Sequence, residues 1–286
     1  MKARDRSGKH RVGVLLCDTE NPFWRTKIEL YGALADSYGF DVSFRAAEDP
    51  KDPEGQCREL SAMRDEAYDA VILNPLTERN LLPALAGLPF PVFDVGPKCD
   101  PERTAGIADY FPLTAADFEE QGHLAGRALV SASEPDGESW AVILGGFCDA
   151  RHSSMRCRGA LRAFRKAFAP RHIVTVHADF DRGEARRAAR ALLPRLDVRA
   201  VFCANDLMAL GVLDALSESP GASVPVGGVD AIPEALEALR DGRLFCTVSL
   251  PHEEVVRGVY RAVAERLAGA PVSGGPLGRS VLLRRS

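Results

Sequence analysis

The feature that most restricts the fold of this chain is a regular alternation between short apolar, β-branched segments and longer segments of helical periodicity. Strands are predicted at residues 12–17, 41–45, 69–74, 91–95, 139–145, 172–177, 199–204, 224–229 and 244–249. Helices are predicted at residues 22–38, 53–66, 78–86, 118–131, 154–168, 183–193, 207–216, 233–240 and 253–268. Because parallel strands are joined through crossover helices, this alternation predicts an α/β protein with parallel sheets covered by helices on both faces.

The length of the chain and a short internal repeat indicate two similar lobes. A chain of 286 residues is too long for one small domain and long enough for two α/β cores. The first predicted strand leads into a helix containing Tyr-Gly-Ala-Leu at 31–34, and the strand at 139–145 leads into a helix containing Arg-Gly-Ala-Leu at 158–161. Two similar strand–helix openings half a chain apart predict two doubly wound lobes.

Composition excludes several classes of protein. The formal net charge of −4 lacks the basic excess of a nucleic-acid-binding domain. The sequence contains no apolar segment of the ~18 residues needed to span a membrane. The seven cysteines are an odd number without a Cys-x-x-Cys pair, which favours buried thiols over a disulfide framework. We therefore expect neither nucleic-acid binding nor membrane insertion.

No motif of an enzyme, a cofactor site or a metal site is found. The sequence contains no P-loop, no Gly-x-Gly-x-x-Gly after the first strand and no Gly-x-Ser-x-Gly nucleophile elbow. The six histidines lack a His-x-x-x-His spacing. An enzyme on a doubly wound scaffold stays an alternative that the fold alone does not exclude. The prediction is a non-enzymatic protein with no catalytic residue, cofactor or metal.

The loops after the predicted strands carry the chemistry, since open parallel sheets bind ligands outside the carboxyl ends of their strands. Sugar ring faces stack on aromatic side chains, and sugar hydroxyls bond to carboxylates, amides and guanidinium groups, with about 1.5–3 kcal/mol for a charge-assisted bond. Structural roles remain open as well: Asn21 and Asp206 as helix caps, and Phe23 and Trp24 as core. Residues suited to a sugar in these loops and helix starts are Asp18, Asn21, Phe23, Trp24, Arg151, Arg156, Phe180, Asn205, Asp206 and Asp230.

Five ordered segments resemble one family over residues 11–283. They are Asn-Pro-Phe-Trp at 21–24, Arg-Cys-Arg-Gly at 156–159, Ala-Asp-Phe-Asp-Arg at 178–182, Ala-Val-Phe-Cys-Ala-Asn-Asp-Leu-Met-Ala-Leu-Gly at 200–211 and Val-Gly-Gly-Val-Asp at 226–230. The chain resembles ribose-binding protein and the type I periplasmic sugar-binding proteins, which share their fold with the effector domains of LacI-type repressors.

The resemblance implies two lobes joined by a three-strand hinge that close on a ligand. The expected lobes are residues 1–110 plus 251–279 and residues 111–250 plus 280–286, with crossings near 109–116, 250 and 279. Asn21 would bond ligand hydroxyls in the first lobe, and Asp18 is a further candidate for ligand binding there. Phe23, Trp24 and Phe180 would sandwich the sugar ring, while Arg156, Asn205 and Asp230 would bond its hydroxyls from the second lobe.

The sequence departs from the family pattern mainly in the first lobe. Cys17 replaces a polar residue after the first strand. The expected Asp-Arg pair aligns with residues 96–97, and Asp94 lies two places earlier. The expected third-crossover Gln aligns with Leu250 beside Ser249, and either Asp109 or Asp117 matches the hinge aspartate. A deoxy, methylated or otherwise less polar sugar, or another polyol, therefore fits at least as well as ribose.

Two functions follow from the resemblance. The first is a monomeric solute-binding component of an ABC-type sugar importer or chemoreceptor, placed in the periplasm or cell envelope. The alternative is a cytoplasmic sugar-sensing regulator, because the eleven residues before the first predicted strand hold no signal peptide and are too few for a helix-turn-helix head. In both cases the expected partner is a small sugar or polyol.

Overall fold

The structure, a computed structural model, describes residues 8–95, 98–218, 223–273 and 277–284. The chain forms two compact units, one of Met1–Ala116 with Pro251–Arg279 and the other of Asp117–Leu250 with Ser280–Ser286. The first boundary follows residue 116, not residue 110 as predicted. The physical reason is that residues 110–113 form a strand paired within the sheet of the first unit.

Strands and helices alternate along the described chain. The strands are β1 (His10–Leu15), β2 (Phe40–Arg45), β3 (Ala70–Leu73), β4 (Val92–Val95), β5 (Tyr110–Leu113), β6 (Trp140–Gly145), β7 (Ile173–His177), β8 (Val198–Cys203), β9 (Val226–Val229), β10 (Cys246–Ser249) and β11 (Val281–Arg284). The helices are α1 (Pro22–Ala35), α2 (Pro53–Met63), α3 (Leu82–Leu85), α4 (Pro101–Thr104), α5 (Phe118–Ser133), α6 (Arg151–Phe164), α7 (Arg182–Leu192), α8 (Asp206–Ser217), α9 (Pro233–Arg240) and α10 (His252–Leu267).

The sheet of the first unit is parallel and covered on both faces. Its strand order is β2-β1-β3-β4-β5. Because successive strand side chains point to opposite faces, Val12 and Val14 pack in one cluster with Tyr260 of α10. Leu15 packs in the other cluster with Leu60 of α2. The predicted doubly wound arrangement is therefore confirmed for this unit.

The second unit repeats the same winding. Its order is β11-β10-β9-β8-β6-β7, in which β6 to β10 are parallel and take the positions that β1 to β5 hold in the first sheet. The last strand, β11, pairs antiparallel with β10, so this sheet is mixed at one edge. The two similar lobes predicted from the internal repeat are confirmed.

All nine predicted strands are present, and the sequence patterns miss β5 and β11. The strand β5 is a short edge strand of sequence Tyr-Phe-Pro-Leu, and Pro112 is tolerated there because an edge strand has unpaired backbone positions. Only Leu113 of β5 is buried, and β11 contains no buried residue. Both strands are only four residues long, and β5 contains a proline, so their short apolar segments do not stand out as strands in the sequence.

Glycines bring α5 and α6 into direct backbone contact. A Cβ atom on Gly122 of α5 would lie 1.8 Å from the carbonyl oxygen of Arg156. A Cβ atom on Gly159 of α6 would lie 1.9 Å from the carbonyl oxygen of Glu119. The two helices are thus closer than any other residue type would permit at these positions, and Arg156 lies at the contact.

Three further observations concern the described ranges. No helix there combines the length and apolar character needed to cross a membrane. No group of three or more metal-ligating side chains occurs among the same residues. All seven cysteines lie within those ranges, and all are free thiols.

The glycine contact generates a stability prediction. Gly159→Ala places a methyl group against the backbone of α5, and we expect the free energy of unfolding to fall by about 1–3 kcal/mol. Gly32→Ala is the matched control, because Gly32 is an exposed helical glycine with open space around its Cβ position. That control should be neutral or stabilising by up to about 1 kcal/mol. Urea denaturation measures both; equal stability of the two variants would contradict the contact.

Candidate functional site

Each sheet has a point at which the strand order reverses direction, and the candidate residues gather there. In the second unit this point lies between β6 and β8, and in the first unit between β1 and β3. Ligands of open α/β sheets bind at such switch points, outside the carboxyl ends of the strands. The second unit holds the better connected set of candidates, and it is described first.

Arg156 is the central residue of the second-unit set. Its guanidinium group is buried and donates three hydrogen bonds: Nε to Gln121 Oε1 at 2.8 Å, Nη1 to the Ala204 carbonyl at 2.7 Å and Nη2 to Asp230 Oδ1 at 3.2 Å. Its Cζ also lies 5.6 Å from the ring centroid of Phe118. These partners belong to α5 and to the loops after β8 and β9, so one side chain links three elements.

Asp230, which follows β9, forms an ion pair with Arg156, and its backbone is strained. The residue has a φ of 115° and the next, Ala231, has a φ of 56°, both in the region that side chains disfavour. The fully buried Asp206 accepts hydrogen bonds from Thr247 Oγ1 at 2.7 Å and from the Ile232 amide at 3.0 Å. Asp206 therefore ties the loop after β9 to the neighbouring strand.

Burial raises the pKa of Asp206 well above its ordinary value, and the negative charge of Asp230 adds to the rise. The hydrogen bond from Thr247 opposes this effect. Asp206 has no exposed surface, so it supports the loop and offers no surface to a ligand.

Asn205 is the N-cap of α8, accepting the Met208 amide at 3.0 Å. The suggested cap role of Asp206 is therefore wrong by one residue, because Asp206 is the first residue of the helix. The side-chain amide nitrogen of Asn205, Nδ2, donates to the Phe180 carbonyl at 3.4 Å. Arg156, Asp230, Asn205 and Phe180 are thus connected through the Ala204–Asn205 segment.

Phe180 belongs to an aromatic cluster of the second unit. Its ring stacks on the ring of His152 with a centroid distance of 5.1 Å and an interplanar angle of 2°. Phe147 meets it edge-on at 5.9 Å. A Cβ atom on Gly146 would lie 2.3 Å from the Phe180 ring, so this glycine makes room for it. The backbone at this position is strained, since Asp179 and Phe180 have φ values of 49° and 58°.

In the first unit, Asp18 and Asn21 shape the loop before α1. Asp18 Oδ1 accepts the amides of Glu20 at 2.7 Å and Asn21 at 3.2 Å. Asn21 Oδ1 accepts the Phe23 amide at 3.0 Å and caps the helix. The structural role considered for Asn21 is therefore real, and a ligand would have to use its amide nitrogen.

Phe23 and Trp24 lie together at the start of α1, with ring centroids 4.8 Å apart in an edge-to-face pair. Phe23 is half-buried and meets His252 edge-on at 5.3 Å. Trp24 is buried, and Lys98 Nζ lies 4.7 Å from its ring centroid. Phe23 has a similar neighbour, since Lys27 Nζ lies 5.8 Å from its ring centroid, so each ring meets an ammonium group. Phe23 is the more accessible ring because it is less buried than Trp24.

In the first unit Asp94 is fully buried and Cys17 is half-buried. Asp94 accepts the amides of Lys98 and Cys99 and the Tyr110 hydroxyl, the last at 2.5 Å. Burial raises the pKa of Asp94, although these donors oppose the rise. Burial also raises the pKa of Cys17 to about 11, against the positive charge of Lys98. Asp94 therefore organises the loop after β4 and offers no surface to a ligand.

The remaining candidates lie at or near the chain crossings. Ser249 donates to the Leu250 carbonyl at 3.3 Å, and Leu250 is buried. Asp117 caps α5 immediately after the first crossing, whereas Asp109 pairs with Arg266 inside the first unit. Residues 96–97, which align with the family's Asp-Arg pair, lie outside the described residues.

Three residues missed from the sequence lie close to these candidates. Lys98 lies in the loop after the predicted strand at 91–95, and no local pattern distinguishes it from the other polar residues of that loop. Gln121 lies within the predicted helix at 118–131, and its spacing there does not distinguish it from a solvent-facing helical residue. Asn74 does end a predicted strand, a signal that could have found it; its Nδ2 atom has no protein acceptor among the described residues.

The two similarly wound units, each with polar and aromatic residues at its switch point, define a bilobal α/β binding protein. The chain belongs to the periplasmic binding protein domain family, which it matches over residues 12–271. The resemblance stated from the sequence motifs is thus confirmed.

Relatives of known name are similar over most of their length. The D-allose-binding periplasmic protein of Escherichia coli is 27% identical over 243 residues, covering 82% of this chain and 78% of the relative. The ribose import binding protein RbsB of Salmonella typhimurium is 27% identical over 260 residues, covering 88% and 83%. The xylitol-binding protein of Mycolicibacterium smegmatis is 25% identical, covering 91% and 73%.

Solved structures share the fold. A periplasmic solute-binding protein of an ABC transporter from Actinobacillus succinogenes with bound D-allose superposes with a TM-score of 0.86 at 22% identity, covering 96% of this chain and 98% of that one. The myo-inositol-binding protein of Caulobacter superposes with a TM-score of 0.82 at 23% identity, covering 99% and 95%.

The thiols provide a check on burial around the candidate residues. Cys148, in the loop between β6 and α6, is exposed and should react fastest with Ellman's reagent at pH 8. Cys203 and Cys246 are buried and should react only on unfolding, while burial raises the pKa of Cys17 and Cys157 to about 11 and leaves little thiolate. Cys148→Ser should remove the fast phase; a fast phase of the same amplitude in that variant would contradict this burial.

Proposed function

We propose that this protein binds a small sugar or polyol without transforming it, as the solute-binding component of an ABC-type importer. The observation that carries the proposal is the connected set of Arg156, Asp230, Asn205 and Phe180 at the switch point of the second unit. The contacts of these four residues are accounted for by binding alone. Its members are polar donors and acceptors beside an aromatic ring, which is what sugar recognition needs.

The charge arrangement of the second unit suits a neutral hydroxylated ligand. Arg156 donates one hydrogen bond from each of its three nitrogens, and its guanidinium group has five N–H donors. Two donors therefore remain for ligand oxygens. Asp230 neutralises the guanidinium charge and can accept from a hydroxyl group. A sugar hydroxyl, both donor and acceptor, satisfies such a pair better than an anion or a cation would.

The first unit, taken by itself, carries the more apolar set of candidate residues. Phe23 supplies a ring for stacking with the C–H face of a sugar. Asn21 offers its amide nitrogen, and Lys98 supplies an ammonium group next to Trp24. Cys17 and the buried Asp94 take no part as strong hydrogen-bonding groups. Pentoses, hexoses, their deoxy forms and polyols are therefore the ligand class to test, as the names of the relatives also suggest.

The proposed cellular role follows the family. The relatives are named as periplasmic or import binding proteins. We place this protein at the cell envelope as a monomer that delivers its sugar to a membrane permease or a chemoreceptor. A permease would bind the protein in its sugar-bound form, so the affinity for the sugar is the first quantity to measure.

Isothermal calorimetry and thermal shift against pentoses, hexoses, deoxy sugars and polyols test the proposal. A ligand at about 100 times its Kd should add ~2.7 kcal/mol to the free energy of unfolding. Phe180→Ala and Asp230→Ala should abolish this shift, since they remove the stacking ring and the partner of Arg156. Binding of no panel member would overturn the proposal, and consumption of a ligand would indicate an enzyme.

Matched variants separate the site from general stability. Arg162 lies on α6 like Arg156, but its side chain is half exposed and pairs with Glu119. Asp241 is exposed in the same unit as Asp230 and pairs with Arg243. Arg162→Met and Asp241→Ala should therefore bind with unchanged affinity. Equal losses in these controls and in Asp230→Ala would contradict the assigned residues.

Gly146→Ala tests the position of the Phe180 ring without removing it. The added methyl group would lie within 2.3 Å of ring carbons, so the ring has to move. We expect the ligand affinity to fall at least tenfold, about 1.4 kcal/mol, while the fold remains. Gly137→Ala is the control, since nothing lies near its Cβ position. Wild-type affinity in Gly146→Ala would exclude Phe180 as a stacking residue.

A further inference from the structure

Gln121 is a buried polar residue of α5 that lies outside the five motif segments. It has no exposed surface, and its Oε1 atom accepts the Arg156 Nε–H at 2.8 Å. Because Nε of arginine only donates, the amide oxygen must face it, and the orientation of the amide group follows. The Nε2 atom, with two N–H donors, has no protein acceptor among the described residues.

The backbone contact between α5 and α6 explains why Gln121 reaches Arg156. Gly122 follows Gln121 directly and touches the carbonyl of Arg156 itself, while Gly159 touches the carbonyl of Glu119. Larger residues at either glycine would separate the helices by more than a hydrogen bond can span. The glycine contact therefore fixes the distance between the two side chains.

A guanidinium group is planar and has donors on three nitrogens, so each additional hydrogen bond restricts its rotation further. The bonds to Ala204 and Asp230 use the two terminal nitrogens, and both acceptors lie in loops. Gln121 binds the inner nitrogen from a helix. Phe118, one turn earlier on α5, lies beside the guanidinium group and also contacts His152, which stacks on Phe180. The first turn of α5 thus supports both the polar and the aromatic part of the candidate site.

An unpaired amide in a fully buried position costs about 1–3 kcal/mol. A polar group of this kind is retained where something other than the protein completes it. We propose that Gln121 is a positioning residue for Arg156 and that its Nε2 group donates to a water molecule that bridges to the bound sugar. The donor role rests on the proposed function, whereas the positioning role does not.

Two variants and two measurements test the proposal. Gln121→Met removes both roles, and Gln121→Glu keeps an acceptor for Arg156 Nε while replacing the donor. Hydrogen exchange of the Arg156 Nε–H, followed by NMR in the protein without sugar, should be slow in the wild type and in Gln121→Glu and at least tenfold faster in Gln121→Met. Equal exchange in wild type and Gln121→Met would overturn the positioning role.

Calorimetry with the sugar identified from the panel gives the second measurement. Both variants should lose at least tenfold in affinity, and in an Arg156→Met background Gln121→Met should lose less than it does alone, because only the donor role is left to remove. Wild-type affinity in Gln121→Glu would overturn the donor role. Additive losses in the double variant would show a merely structural effect and overturn the coupling to Arg156.

Glu119→Gln is the matched control, because Glu119 bridges the same two helices on the surface through Arg158 and Arg162. It should match the wild type in both measurements. If no panel sugar binds the wild type, the proposed function and the donor role both fail. The exchange of the Arg156 Nε–H still decides the positioning role in that case.

Discussion

Parallel pairing of the strands is the constraint on which the other features depend. In each sheet the parallel strands end at one common edge, so the loops that follow them are neighbours although they are far apart in sequence. Arg156, Asn205 and Asp230 come from three such segments. Only the common edge allows a single guanidinium group to bond to α5, to the end of β8 and to the loop after β9.

Local strain and local support are combined at this edge. The non-glycine residues of two loops, Asp179–Phe180 and Asp230–Ala231, have left-handed backbone conformations. Such conformations cost about 1–3 kcal/mol each and need to be held by their surroundings. The supports are visible: Asn205 bonds to the Phe180 carbonyl, and Asp206 with Thr247 holds the loop at Asp230. The buried side chain of Asp206 therefore supports the loop after β9, and its hydrogen bonds are made within the protein.

The sequence is sufficient to predict the winding of both sheets, since central strands are apolar and helices fill the gaps. It is not sufficient for the edge strands β5 and β11, because each has only four residues and β5 is interrupted by a proline. The edge strands β2 and β7 are longer, and their patterns are recognisable in the sequence. Residue roles divide in the same way. Asn21, Asn205 and Asp206 all start helices, and only the hydrogen bonds show that the first two are caps. Lys98 and Gln121 reach the candidate residues through tertiary packing, which no spacing along the chain encodes.

The direct contact of α5 and α6 limits how this protein could acquire a different ligand preference. Helices separated by side chains can shift when a side chain changes, and a binding site between their ends can widen or narrow. Here the backbones themselves touch at Gly122 and Gly159, so the spacing cannot be adjusted by substitution without loss of stability. A new ligand preference would have to arise from substitution of single side chains on these two helices. Residue 121 is one buried position where a substitution would change the hydrogen-bond donors.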